Sequence, residues 1–281
     1  MSEGRGNGTL KQLEEKGNKI GLPSRLIEFY QNLLDLQARG EQKIGKVSPG
    51  LKKEVINERL AHGRPLINYN EIDFDWKTLN ELFVQVTNLF LSYSDLFGEP
   101  PESMKGRKTI PRNLVKAWYK KSPPPPSLAT DDADGLLLMD AIIHATVKPN
   151  LVRYARALSG FIQQDKWKQN ICPVCGGLAD LAYLEEKEGA RWLVCSRCDT
   201  EWLFKRLECP YCKNNDQSEL AYYTDEDSSI YRLYVCEKCR KYIKAIDLRA
   251  TEEKILFPVE RILTINIDNQ AREEGYEPDT S

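Results

Sequence analysis

Histidine is scarce in this sequence of 281 residues, and the common catalytic motifs are missing. The two histidines are His62, near a predicted helix end, and His144, in an apolar stretch with helical periodicity. Neither comes with the nucleophile and orienting group that a catalytic base serves. The chain also has no Gly-x-Ser-x-Gly, no phosphate-binding loop and no dinucleotide fingerprint. We therefore predict no catalytic residue and no enzymatic activity.

A strong net charge and long apolar runs are missing as well. The formal net charge is −2, which is too small to attract a polyanion from a distance. Leu136–Met139 is typical of the longest apolar runs, whereas a transmembrane helix needs about 20 apolar residues. The N-terminus has no apolar core of the kind found in signal peptides. These absences predict no membrane insertion and no export to an oxidising compartment.

Cysteine, by contrast, is concentrated in one region, in four C-x-x-C pairs with none left over. Two residues between cysteines let a tight turn direct both sulfurs at one ion, so each pair is half of a tetrahedral thiolate site. The pattern therefore predicts two metal sites with eight ligands: Cys172, Cys175, Cys195, Cys198, Cys209, Cys212, Cys236 and Cys239.

The spacing between the C-x-x-C pairs indicates which two pairs share one metal ion. Gaps of 19 residues after Cys175 and 23 residues after Cys212 are close to those of zinc ribbons, whereas only 10 residues separate Cys198 from Cys209. Consecutive grouping of pairs follows most simply. An interleaved arrangement, with the first pair joined to the third and the second to the fourth, stays open.

The flanking residues indicate an internal duplication. Both halves begin with Cys-Pro-x-Cys, at Cys172 and at Cys209. In both halves an aromatic-aliphatic stretch precedes the second pair, Trp192–Val194 in one and Leu233–Val235 in the other. Each half is therefore predicted to be a hairpin-like unit that brings its second pair beside its first.

Three other interpretations of the cysteines compete with a functional metal site. Disulfides need an oxidising compartment. Thioredoxin-type catalysis needs one C-x-x-C on a strand-to-helix turn, which four clustered pairs do not resemble. The third interpretation, that the metal only holds together a module too small to bury its own core, is the default expectation.

The cysteine region is acidic and rich in aromatic residues. Between Cys172 and Cys239 there are 13 acidic and 8 basic residues, which argues against a nucleic-acid-binding finger. The cations that could offset thiolate charge are Arg191, Arg197, Lys205, Arg206 and Lys238. The aromatic residues that could anchor a partner, or form the modules' own cores, are Tyr183, Trp192, Trp202, Tyr211, Tyr222 and Tyr223.

The N-terminal half is predicted to be helical. Apolar residues recur at helical spacing from Leu26 and again from Leu79, with Asp75 as an N-cap, and the loop from His62 to Asp75 is expected to pack along the bundle surface. The predicted division is a flexible N-terminus (1–22), a helical domain (23–168), two four-cysteine modules (169–206 and 207–250) and a C-terminal segment (251–281).

These features together resemble the formate dehydrogenase accessory protein family, FdhE. The resemblance rests on the helical N-terminal half, Cys-Pro-x-Cys-Gly at Cys172, Cys-x-x-Cys-x-x-Glu-Trp ending at Trp202, Cys-Pro-Tyr-Cys at Cys209 and the final C-x-x-C. It implies an all-helical domain followed by two tandem rubredoxin-like metal modules, with the eight cysteines as ligands of two metal ions. Iron is the ion usually proposed for the family, and zinc remains an alternative.

The resemblance also implies a cytoplasmic, chaperone-like maturation protein that engages the catalytic, molybdopterin-dependent subunit of formate dehydrogenase. A rubredoxin-type electron-transfer protein serving the dehydrogenase is the main alternative. A nucleic-acid-binding zinc-ribbon protein is the third, although we expect no nucleic-acid partner. The sequence leaves homodimerisation open.

Overall fold

The computed structural model describes residues 3–128, 132–224 and 230–279, so that Met1, Ser2, Thr280 and Ser281 of the predicted terminal segments lie outside the description. The chain divides into two compact units. Residues 1–48 and 69–154 form the first, called here the helical unit, and residues 49–68 and 155–281 form the second, called the sheet unit. The domain boundaries predicted from the sequence stay a prediction.

The helices and strands follow one another in a simple order along the chain. The helices are α1 (Glu3–Lys19), α2 (Ser24–Ile44), α3 (Lys53–Ala61), α4 (Trp76–Ser92), α5 (Ser94–Phe97), α6 (Arg112–Lys120), α7 (Ala133–Leu158), α8 (Phe257–Leu263) and α9 (Ile265–Glu273). The strands are β1 (Ala179–Leu184), β2 (Arg191–Cys195), β3 (Glu201–Leu203), β4 (Leu220–Thr224), β5 (Tyr231–Cys236), β6 (Lys241–Asp247) and β7 (Glu277–Pro278).

The helical unit has an aromatic core between α2 and α4. Phe29 is buried, and its ring lies 5.0 Å from that of Phe90 and 5.4 Å from that of Tyr93, in edge-to-face geometry. Asp75 caps α4 as predicted, because its carboxylate accepts the Thr78 N–H at 3.1 Å. No helix in the described part of the chain is long and apolar enough to cross a membrane.

The structure differs from the sequence-based expectation at the N-terminus. Residues 1–22 were predicted to be flexible, yet α1 covers most of them. Leu13 of this helix is fully buried. Gly17 lets α1 and α2 approach closely, since a Cβ at Gly17 would lie 2.9 Å from Cδ1 of Ile27. A few apolar contacts therefore hold a segment whose glycines and charges predicted disorder.

The loop from His62 to Asp75 belongs only in part to the helical unit, so the expectation that it packs along the bundle is half wrong. Residues up to Asn68 are part of the sheet unit. There the Leu66 N–H donates to Pro173 O at 2.8 Å and the Ile67 N–H donates to Val174 O at 3.0 Å. The first cysteine turn thus has backbone partners from a remote segment.

A single mixed sheet combines both cysteine-containing halves. Its strand order is β3-β2-β1-β6-β5-β4, and β7 also pairs with β6. Each half is a three-stranded antiparallel meander, and the two meanders join through the parallel pair β1–β6. The predicted fold class, a helical N-terminal part followed by two small four-cysteine modules, is confirmed.

The C-terminal segment packs against this sheet. Helix α9 and the chain after it cover one face of the second meander, where Leu233, Val235, Tyr242, Ala271 and Tyr276 form a buried cluster. The other face of the same meander is not covered by this cluster.

Candidate metal centres

The first cysteine group consists of Cys172, Cys175, Cys195 and Cys198, all of which are buried. Its four Sγ atoms lie within 4.8 Å of one another. The Sγ–Sγ distance is 3.6 Å between Cys172 and Cys198 and 3.5 Å between Cys175 and Cys195.

The second group consists of Cys209, Cys212, Cys236 and Cys239. Here the Sγ–Sγ distances are 3.7 Å for Cys209–Cys239 and 3.7 Å for Cys212–Cys236. Cys212 is exposed and Cys239 is partly exposed, unlike any cysteine of the first group. The pairs are grouped consecutively, and the interleaved alternative is not adopted.

The backbone explains how two residues between cysteines suffice. In each turn the residue after the second cysteine donates its N–H to the carbonyl of the first cysteine: Gly176 to Cys172, Asp199 to Cys195, Lys213 to Cys209 and Arg240 to Cys236. All four donors have a left-handed backbone, with φ of 73°, 56°, 60° and 54° respectively. Gly176 favours this region and Asp199 is of a type that visits it, whereas Lys213 and Arg240 are not, so the sequence indicates the conformation in two turns of four.

Several polar groups point at the sulfurs. The N–H groups of Val174 and Cys175 donate to Cys172 Sγ at 3.4 and 3.5 Å. In the second group Asn214 Nδ2 donates to Cys236 Sγ at 3.8 Å. Such donors stabilise thiolate charge and are the usual surroundings of a metal–thiolate centre.

Burial and hydrogen bonds within each group shift the thiol pKa values. Burial raises the pKa of Cys172 and Cys198 well above the usual value. Burial also opposes ionisation of Cys195, but hydrogen bonds from Cys172, Cys175 and Cys198 outweigh it and lower the pKa of Cys195. In the second group burial raises the pKa of Cys209 to about 11, whereas backbone and thiol hydrogen bonds outweigh burial and lower the pKa of Cys236. Only a cation would allow all four thiols of a group to ionise together.

The donor set and its spacing fit such a cation. A tetrahedral ion with metal–sulfur bonds of about 2.3 Å has edges of about 3.8 Å between sulfurs. The 3.5 to 3.7 Å contacts in both groups are close to this value. Each group could therefore hold one metal ion, and the geometry does not discriminate iron from zinc.

Two of the five cations considered from the sequence are buried. Arg191 is only 2% exposed, and its guanidinium donates to the carbonyls of Lys205 and Glu208. Burial lowers the pKa of Arg191 to about 10. Arg197 is buried close to the first group, as its Cδ would lie 2.9 Å from a Cβ at Gly177. Lys205, Arg206 and Lys238 are exposed.

A partly buried arginine that was not among the sequence-based candidates supports the first group. Arg261 of α8 pairs with Asp180 at 2.7 Å and with Asp199 at 2.8 Å, and it also donates to Cys195 O at 3.0 Å. These contacts tie two parts of the first cysteine group to a helix beyond the second group. Nothing in the local sequence around Arg261 signals this role.

The aromatic residues divide between core and surface. Trp202 is fully buried and donates from Nε1 to Gln169 O at 3.2 Å. The Tyr183 ring stacks on Trp192 at 6.1 Å, and Tyr211 donates to Ala179 O at 3.2 Å. Tyr222 and Tyr223 are 55% and 54% exposed. Of the six candidates, these two present the largest exposed fractions to a partner.

Comparisons with known proteins agree with these features. The family described as FdhE, central domain, matches residues 171–206, which contain the first cysteine group. A protein FdhE homolog from Aquifex aeolicus is 28% identical over 259 residues, which cover 90% of this chain and 86% of that protein. A protein FdhE homolog from Haemophilus influenzae is 30% identical over 108 residues, which cover 37% of this chain and 35% of that protein.

A solved structure has the same fold. The crystal structure of the FdhE protein from Pseudomonas aeruginosa matches with a TM-score of 0.64 and 19% sequence identity, and the match covers 99% of this chain and 92% of that one. The similarity therefore extends over the helical part as well as the cysteine-containing sheet.

Proposed function

Because this chain belongs to the FdhE family, we propose that it is an accessory protein for the maturation of formate dehydrogenase. In this proposal it acts in the cytoplasm, binds the catalytic subunit and catalyses no reaction itself. The observation that carries the proposal is the pair of four-cysteine groups on one sheet, within a chain that is similar to FdhE proteins over most of its length.

The eight cysteines are the ligands of two metal ions in this proposal. Four thiolates around a divalent ion have a formal charge of −2, which needs nearby donors and cations when it is buried. The first group has the turn N–H groups and Arg197 close to it, and the second has Asn214 and Arg191. Both groups thus have the surroundings that a metal–thiolate centre requires.

A scaffold role follows from the closed ligand set. Four protein ligands complete the tetrahedral shell, so a metal bound there has no open position for a substrate. The bound ions would instead hold the turns, and with them the shape of the sheet surface. A partner-binding surface is what such a scaffold can supply.

The test is co-purification from the native host. The full-length tagged chain is expressed under conditions that induce formate dehydrogenase, and the co-purified proteins are identified by mass spectrometry. We expect the catalytic subunit to co-purify, and we expect deletion of the chain to abolish formate dehydrogenase activity until the wild-type copy is restored. Normal activity in the deletion strain would contradict the proposal.

Electron transfer is the second candidate function, and one observation favours it. Cys212 is exposed, so an ion in the second group would lie close to the surface, as electron exchange with a partner requires. Protein purified without oxygen and without added metal should then contain two irons whose visible thiolate-to-iron bands appear and vanish reversibly on oxidation and reduction. Two colourless zinc ions would contradict this function and leave the scaffold role intact.

A further inference from the structure

Strand β4 forms one end of the sheet and is its most exposed strand. It pairs with β5, and no second neighbour lies beside it in residues 3–128, 132–224 and 230–279. Tyr222, Tyr223 and Thr224 are all exposed. Because the Glu237 N–H donates to Glu219 O, the alternation of an antiparallel ladder leaves the N–H and C=O groups of Tyr222 and Thr224 pointing away from β5. The C=O of Leu220 points the same way, whereas its N–H donates to Gln217 O.

The internal duplication shows what such an edge can accept. Strand β1 occupies the corresponding place in the first meander, and it has β2 on one side and β6 on the other. The pairing of β1 with β6 runs from Leu181↔Lys244 to Leu184↔Asp247. At the equivalent edge of β4 the backbone groups of Tyr222 and Thr224 have no strand partner among the described residues, so this edge is a template for an added strand.

A cavity of about 200 Å³ lies beside this edge. One side of the cavity is a face of strands β4, β5 and β6. The residues of this face that line the cavity are Leu220, Tyr222, Tyr234 and Ile243. Leu207, which is 59% exposed, and the ring of Tyr222 are also in its lining. A strand added along β4 would direct alternate side chains over this face, and a cavity of this size accepts one apolar side chain.

One exposed cation beside the cavity favours an acidic neighbour. The charged groups of the lining are Arg191, Arg206, Lys241 and Glu208, which is paired with Lys205 at 2.7 Å, and the lining also includes the metal-ligand candidates Cys209 and Cys236. Arg191 is buried and offsets the thiolate charge of these cysteines. Arg206 is exposed and forms no ion pair with a carboxylate of the described residues, so it is the cation left for an acidic side chain of a partner.

We propose that the β4 edge and this cavity are the docking site for an extended segment of the formate dehydrogenase catalytic subunit. The segment pairs with β4, places an apolar side chain in the cavity and sets an acidic side chain two residues away, on the same face, near Arg206. This inference rests on the proposed function, because it takes the catalytic subunit as the partner. It adds the surface and the chemistry of the segment.

Photo-crosslinking in the native host tests the site directly. A photo-reactive phenylalanine analogue replaces Tyr222 in the full-length tagged chain, and the control carries it at Phe161, an exposed aromatic residue of the same unit. We expect a crosslink to the catalytic subunit from position 222 and none from position 161. Mass spectrometry of the crosslinked peptide should identify an extended segment with the apolar and acidic pattern.

The other possible results of this experiment show whether the docking site, the accessory function or both are wrong. If the catalytic subunit co-purifies but position 222 gives no crosslink to it, the docking site is wrong and the accessory function stands. A crosslink only to a second copy of this chain would overturn the site in favour of self-association. Failure of the catalytic subunit to co-purify with any variant or with the wild type would overturn both.

Charge reversal provides an independent readout. Arg206→Glu should lower the amount of co-purified catalytic subunit at least about tenfold, since it opposes the acidic side chain of the segment. Lys187→Glu changes the net charge equally at an exposed position in the turn between β1 and β2, and it should leave the yield unchanged. Equal losses in both variants would contradict a specific role for Arg206.

Discussion

The two cysteine groups have the same turns but very different surroundings. All four cysteines of the first group are buried, and the group has backbone partners from the residues after α3 and a partly buried arginine from α8. The second has an exposed cysteine and a cavity beside it. One duplicated motif has therefore produced a closed structural centre and an accessible one, and accessibility depends on what the rest of the chain places over each turn.

The largest expected difference comes from removing one ligand in each group. Cys195→Ser should remove the metal ion of the first group and unfold the first meander, β1 to β3, since structural zinc–thiolate sites contribute on the order of 10 kcal/mol to folding. Cys212→Ser should remove the other ion and leave the first group folded. Elemental analysis gives the number of metal ions bound by each variant, and circular dichroism shows whether its sheet is folded. Retention of both ions and of the sheet in Cys195→Ser would contradict it.

The second-largest difference is expected in how much an aromatic residue of each half contributes to folding stability. Trp202→Ala should destabilise the protein by about 3–5 kcal/mol, because it leaves a cavity at a fully buried position. Tyr222→Ala removes a half-exposed ring and should change stability by no more than about 0.5 kcal/mol. Urea unfolding followed by fluorescence gives both values. Equal losses would mean that Tyr222 is packed as tightly as Trp202.

A smaller difference is expected in the rate at which an alkylating reagent reaches the thiols of the two groups. With a chelator and an alkylating reagent present, the second group should lose its ion and become alkylated about tenfold faster than the first, since only the first must open locally to react. Mass spectrometry of the peptides that contain Cys212 and Cys175 follows the order of reaction. Simultaneous alkylation of both would show that the sheet opens as one cooperative unit.

The smallest effects are expected in the turns themselves. Gly176→Ala should cost about 1–2 kcal/mol because φ is positive there, and the added Cβ would also lie 3.0 Å from Pro65. Lys213→Gly makes the opposite change at the matching position of the second group and should stabilise by up to about 1 kcal/mol. Thermal unfolding of the metal-bound variants measures both. A stabilising Gly176→Ala would contradict the role of this backbone conformation.

Prediction from the sequence succeeded where the cause is local. The C-x-x-C turns need only neighbouring residues, and the Asp75 cap needs only Thr78, three positions further on. It failed for α1, because the few apolar contacts of Leu13 and Gly17 outweigh a composition rich in glycine and charge. It also failed for the first part of the loop from His62 to Asp75, where the partners of Leu66 and Ile67 are Pro173 and Val174, far along the chain.

By itself, the sequence determined that there are two four-sulfur groups, because ligand type and spacing within each turn follow from covalent connectivity. The tertiary structure alone decided that one group is buried and the other partly exposed, and that Arg261 supports the first. It also decided that β1 has a second neighbouring strand where β4 has none among the described residues. These differences arise from contacts between residues distant in the chain, and no local pattern records such contacts.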